Sequence, residues 1–155
     1  YNHKNTGRPE GFYESVFITK YLDSPNQPLF PFGYGLSYTT FEYSEIQMED
    51  KQLTRDGKLN VSVKVKNTGK YKGTETVQLY IRDLVASVTR PVKELKSFRK
   101  VELKPGEEKK VEFVITEKDL RFWNDKKQFI SEPGKFHLFI GTDSENVKKA
   151  EFVLL

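Results

Sequence analysis

Residues 59–66, LNVSVKVK, alternate apolar and polar side chains without a break. A period of two sends successive side chains to opposite faces of an extended backbone. Leu59, Val61, Val63 and Val65 therefore share one face, and Asn60, Ser62, Lys64 and Lys66 share the other. This is a strand with one face in a core and one in water. Asn67-Thr68-Gly69 closes it with turn-forming residues.

The same signal repeats outward from this stretch. Val77, Leu79 and Ile81 form an inward face, with Gln78 and Arg82 opposite. A shorter strand is expected around Leu95–Leu103, followed by a turn at Pro105-Gly106. Val111, Phe113 and Ile115 form the next inward face. Pro133-Gly134 precedes Phe136, Leu138 and Ile140, and a last strand runs through Phe152 and Leu154. About seven strands within 41–155, separated by turns and with no long helix, predict an all-β fold. The fold class is an immunoglobulin-like or fibronectin-type-III-like antiparallel β-sandwich with an irregular N-terminal arm. The Cys…Trp…Cys pattern of true immunoglobulin domains is missing, since the chain has no cysteine. Asp119–Asn124 is expected to form a short helical turn, and Trp123 to plug the core or a corner.

Before residue 41 the composition changes. Residues 28–43, PLFPFGYGLSYTTFEY, are too aromatic for a solvated loop. Pro28 and Pro31 fix φ and remove donors, so no helix passes through, while Gly33 and Gly35 permit turns. Large rings on an irregular backbone need cover. The stretch reads as a strap pressed on a protein body and leading into a first strand near Phe41. Residues 1–40 read as the tail of a preceding domain plus a linker arm, and 41–155 as the sandwich. The chain opens on YNHKNTGRPEG without an initiating Met, as a piece of something longer would.

The 155 residues suffice for one ordinary domain and some extra chain. The absence of cysteine excludes a disulfide framework and thiolate chemistry. A net charge of +4, from 26 basic and 22 acidic residues, is too balanced for a nucleic-acid binder. No apolar run approaches the roughly 20 residues that span a bilayer. Neither nucleic acid nor membrane is expected as a partner.

Catalytic chemistry is hard to place. Glycoside cleavage usually requires two carboxyl groups facing one cleft. Asp83, Glu94 and Glu112 sit in strand-like or turn contexts and read as outward-facing solvated groups. His3 and His137 are the two histidines, one in the unpatterned tail and one in a strand. They indicate neither a metal cluster nor a nucleophile–His–acid set. No catalytic residue, metal or cofactor is assigned. Gly33-Tyr34-Gly35 lacks the following helix that a phosphate loop needs. Asn60-Val61-Ser62 matches the N-glycosylation acceptor pattern, but within a strand. The connection 82–97, RDLVASVTRPVKELKS, is long enough to carry contacts, and Arg90 could hold a carboxylate or carbonyl with its planar fork.

Several stretches, in order, resemble one family. YNHKNTGRP (1–9), PLFPFGYGLSYTTFEY (28–43), VQLYIRD (77–83), SVTRPVKELKSF (87–98), VELKPGEEKKVEF (101–113) and EPGKFHLFIG (132–141) are similar to the C-terminal portion of glycoside hydrolase family 3 enzymes, the β-glucosidases and β-xylosidases. Ser97 departs from the glycine that many relatives carry there. The resemblance implies that residues 1–9 lie near the end of an α/β domain, that 28–43 is the junction, and that the terminal fibronectin-type-III-like domain follows. It implies a parent that removes terminal β-linked sugars with an Asp nucleophile and a Glu acid/base, both upstream of this chain. Nothing catalytic carries over. A periplasmic or secreted setting is the family expectation.

The chain is thus expected to be a non-catalytic accessory domain that braces the preceding catalytic domains of the same polypeptide. Phe30, Phe32, Tyr34, Leu36, Tyr38 and Arg90 are its candidate domain-interface residues. One alternative is a carbohydrate-binding module using Tyr71, Tyr80 or Trp123 as sugar platforms. Another is a free-standing interaction module, for which 1–40 would be dispensable.

Overall fold

The computed structural model describes residues 28–155. The expected domain tail therefore lies, up to residue 27, outside the described residues. Eleven strands follow: β1 (Phe41–Tyr43), β2 (Gln47–Met48), β3 (Gln52–Leu53), β4 (Lys58–Asn67), β5 (Gly73–Asp83), β6 (Glu94–Leu103), β7 (Glu108–Thr116), β8 (Phe122–Trp123), β9 (Phe129–Ile130), β10 (Gly134–Gly141) and β11 (Val147–Leu154). The seven strands expected from alternation are β1, β4, β5, β6, β7, β10 and β11. The other four are two residues long, too short to show a period.

In the first sheet β4 is central. β7 pairs with it from Lys58 to Lys66, and β1 and β2 share its other side. Between them, Lys64 N–H donates to Ser44 Oγ (2.9 Å) and Ser44 N–H donates to Lys64 O (3.0 Å). The edge is interrupted without leaving that part of the ladder open. The second sheet runs β3-β11-β10-β5-β6, with β3 parallel to β11 and the other pairs antiparallel. Between β5 and β6 the register shifts: Leu79 faces Ser97, but Tyr80 faces Leu95. Lys96 is the extra residue of this bulge, and Ser97 lies beside it, in a strand and not in a turn.

The inward faces meet as the alternation requires. Leu59, Val61, Val63 and Val65 pack with Val77, Leu79, Ile81, Val111, Phe113, Ile115, Phe136, Leu138, Ile140, Phe152 and Leu154, all buried in one cluster. Phe136 stacks on Phe152 with centroids 5.3 Å apart. Apolar burial at roughly 25 cal/mol per Å² is the main term holding the sheets together.

The helical turn occurs earlier than expected, as a 3-10 helix over Glu117–Leu120. Thr116 starts it by donating its N–H and its hydroxyl to Asp119 Oδ2, both at 2.7 Å. Leu120, buried in the core cluster, fills the role expected of Trp123. Trp123 instead stands 65% exposed on the separate β8–β9 hairpin.

Candidate domain-docking surface

The strap is not a free arm. Tyr34 N–H donates to Pro31 O (3.0 Å), closing a turn whose third residue, Gly33, has φ +81°. That value suits the glycine position of a type II turn. A side chain on Gly33 would also collide, since its Cβ would stand 2.1 Å from Gln78 Oε1. The turn rests on the outer face of β5. Phe32 O accepts from Ser144 N–H (2.9 Å), and the Phe32 ring meets Tyr80 edge-on at 6.4 Å. Phe30 packs against Tyr34 at 5.0 Å.

Gln78 lies beneath this turn. Its Nε2 donates to Gly33 O (3.1 Å) and to Thr142 O, and its Oε1 accepts from the Tyr80 hydroxyl (2.5 Å). Both side chains are buried, at 6% and 1% exposure. Burial, with Asp143 adding to it, pushes the Tyr80 phenol up to about 12, so it donates at neutral pH. The solvated placement expected for Gln78 is therefore corrected: the strap covers the second face of β5. Tyr80 is removed as a sugar platform for the same reason.

The strap is fixed again at its other end. Thr39 Oγ1 donates to Asn67 Oδ1 (2.7 Å), which also accepts Gly69 N–H (3.0 Å). Asn67 Nδ2 donates to Tyr71 O (2.8 Å) and Leu103 O (3.0 Å). This fully buried amide is satisfied on both sides and joins the strap root to the 68–72 loop and to the end of β6. Gly69 makes the contact possible, because a Cβ there would stand 2.2 Å from Thr39 Oγ1.

Between these anchors the side chains face outward. Leu36 is 90% and Tyr38 97% exposed, and Phe30, Phe32 and Tyr34 are each about half exposed. Beside them, β6 directs exposed Phe98 to the outer face in register with Gln78.

Arg90 is placed differently from the other five candidates. It lies in the 84–93 loop, shorter than the 82–97 connection expected, because β5 and β6 extend into it. Its fork does hold a carboxylate, that of Glu94 (2.6 Å), and its guanidinium stacks over Phe122 at 4.6 Å. The side chain is only 18% exposed. Lys93 extends the loop's attachments by donating to Ser144 O and lying 5.3 Å from the Phe139 ring centre.

The carboxylates divide. Glu112 is exposed, as expected, and ion-pairs with Lys110 (2.5 Å). Glu94 is tied to Arg90 and Lys96. Asp83 is not a solvated group: burial raises its carboxyl, with Val85 N–H and Arg90 acting in the opposite direction. His137 is held at Nε2 by Glu151 (3.0 Å), and burial and Lys149 lower its pKa. Among the described residues, no group of three or more His, Asp or Glu could hold a metal ion. Among them also, no helix is long and apolar enough to cross a membrane. Asn60, of the glycosylation triplet, lies within β4 and donates to Glu49 Oε2 (2.7 Å).

The comparisons with known proteins agree with this architecture. Residues 75–144 match the model of the fibronectin type III-like domain. Over 156 aligned residues the chain is 49% identical to the periplasmic β-glucosidase of Salmonella typhimurium, covering all of this chain and 20% of that protein. It is 55% identical over 123 residues to a β-glucosidase of Bacteroides ovatus, covering 79% of this chain and 16% of the relative. The crystal structure of a β-glucosidase from Listeria innocua in complex with glucose superposes with a TM-score of 0.91 at 42% identity, over 99% of this chain and 22% of the other. The chain thus spans about a fifth of the length of the relatives it matches. Sandwich, strap and family model together define a fibronectin type III-like domain. Over nearly its whole length the chain is similar to the portion of β-glucosidases of glycoside hydrolase family 3 that carries this domain.

Proposed function

We propose that this domain braces the catalytic domains that precede it in its own polypeptide, docking them on the strap surface. The observation that carries this reading is Leu36 and Tyr38, held almost fully exposed between two fixed points. Solvating two large side chains on a rigid segment gains nothing for the sandwich alone, whereas a partner face would bury them. Phe30, Phe32 and Tyr34 widen the same face, and Arg90 serves it by stiffening the 84–93 loop. We place the boundary at 40/41, with 1–40 as the tail of a preceding α/β domain plus a linker arm. The parent would cleave terminal β-linked sugars with carboxylates outside this chain, in a periplasmic or secreted setting like that of the Salmonella relative. Deleting 41–155 from the longer polypeptide tests the brace. Lower melting temperature, solubility and glycosidase activity are expected; unchanged values would refute it.

One observation favours carbohydrate as a second partner. Trp123 and Phe129 stand 65% and 50% exposed on the β8–β9 hairpin, with ring centres 5.4 Å apart. Exposed rings can stack on sugar faces. Calorimetric titration with cello- and xylo-oligosaccharides should give millimolar binding that Trp123→Ala abolishes. Absence of heat at those concentrations removes this reading.

A further inference from the structure

The strap could be an arm that settles only when a partner covers it, or a part of the sandwich in its own right. The hydrogen bonds at Gln78 distinguish these. Two backbone carbonyls, of Gly33 and Thr142, converge on one side-chain nitrogen, and the Tyr80 hydroxyl converges on the neighbouring oxygen. A glutamine matches that set, with two donors and an acceptor on one planar group. Glutamate of the same shape would set an oxygen against two carbonyls. Methionine of similar volume would deprive the Gly33 and Thr142 carbonyls of this donor and leave the Tyr80 hydroxyl only its 3.4 Å bond to Phe32 O. The ring contact is a weaker hold, since Phe32 remains 46% exposed.

We infer that Gln78 is the positioning residue that fixes the strap to β5 and to the 142–146 loop in the absence of any partner. The Tyr34–Tyr38 span is thereby presented as a preformed docking edge for the preceding domain. The anchoring stands on the contacts above, and only the docking rests on the proposed function.

Hydrogen exchange read by mass spectrometry on the 155-residue chain tests the anchoring. Gln78→Glu and Gln78→Met should each speed exchange in peptides covering 30–36 and 142–146 by about tenfold or more, while β4 and β11 keep their protection. Gly33→Ala should open the same peptides from the strap side, with β5 untouched in sequence. Wild-type protection of the strap in all three variants overturns the inference. So does a uniform loss of protection across the sandwich in the Gln78 variants, which would make Gln78 a general stability residue. In the longer polypeptide, Gln78→Met should also lower the melting temperature. A strap that opens with no such change would leave the anchoring intact and overturn the docking.

Discussion

Glu75 shows how one buried carboxyl can set a pH response. It sits on β5 in phase with Val77, at 8% exposure, and accepts a 3.0 Å hydrogen bond from the Tyr43 hydroxyl of the facing sheet. Burial raises its pKa, while the Tyr43 hydrogen bond and the Thr76 N–H act the other way. A carboxyl whose folded pKa exceeds its unfolded value stabilises the fold below the unfolded pKa. That contribution is lost as pH rises through the folded pKa. The charged form is thus a cost at neutral pH. Glu75→Gln keeps an acceptor for Tyr43 and removes the charge. Thermal denaturation should show the variant melting a few degrees above wild type at pH 7, with the gap closing toward pH 4. An equal gap at both values would exclude the mechanism. The sequence placed Glu75 in no role, because one acidic residue at the start of an apolar alternation looks like a solvated end. Trp123 and Tyr80 exchanged places for a related reason. Periodicity reports which side of a strand a residue occupies, not what lies over that side.

The long strands were legible because each carries several alternating positions with a core on one face. Leu59, Val61, Val63 and Val65, then Val77, Leu79 and Ile81, then Phe136, Leu138 and Ile140 are buried as the period requires. The two-residue strands were not legible, since their pairing is imposed by neighbours: β3 by β11 and β2 by β4. The second face of β5 was hidden too, because the cover comes from residues 30–34, some 45 positions away in the chain. Asn67 was read as turn chemistry, and it does start the 68–72 turn. Its larger effect is long-range: Thr39, Tyr71 and Leu103 all converge on its amide. A polar side chain that satisfies such a set makes one packing of the loops far better than its competitors. The proposed docking surface was half legible. The aromatic strap announced itself by composition, whereas the anchors at Gln78 and Asn67 are visible only in three dimensions.

At the scale of the molecule, the sandwich has an interior of its own and large apolar side chains on its exterior. Its core is closed by two sheets, yet Leu36, Tyr38, Phe30 and Phe98 remain exposed. On the proposed function, the preceding domain covers these side chains. The longer relatives, of which this chain spans about a fifth, fit that account. The most direct measurement compares melting temperatures of the double variant Leu36→Ser/Tyr38→Ser in two contexts. In the 155-residue chain the change should be negligible, because both side chains are already solvated. In the polypeptide that includes the preceding domains it should lower the melting temperature by several degrees. Identical melting in both contexts would contradict the brace.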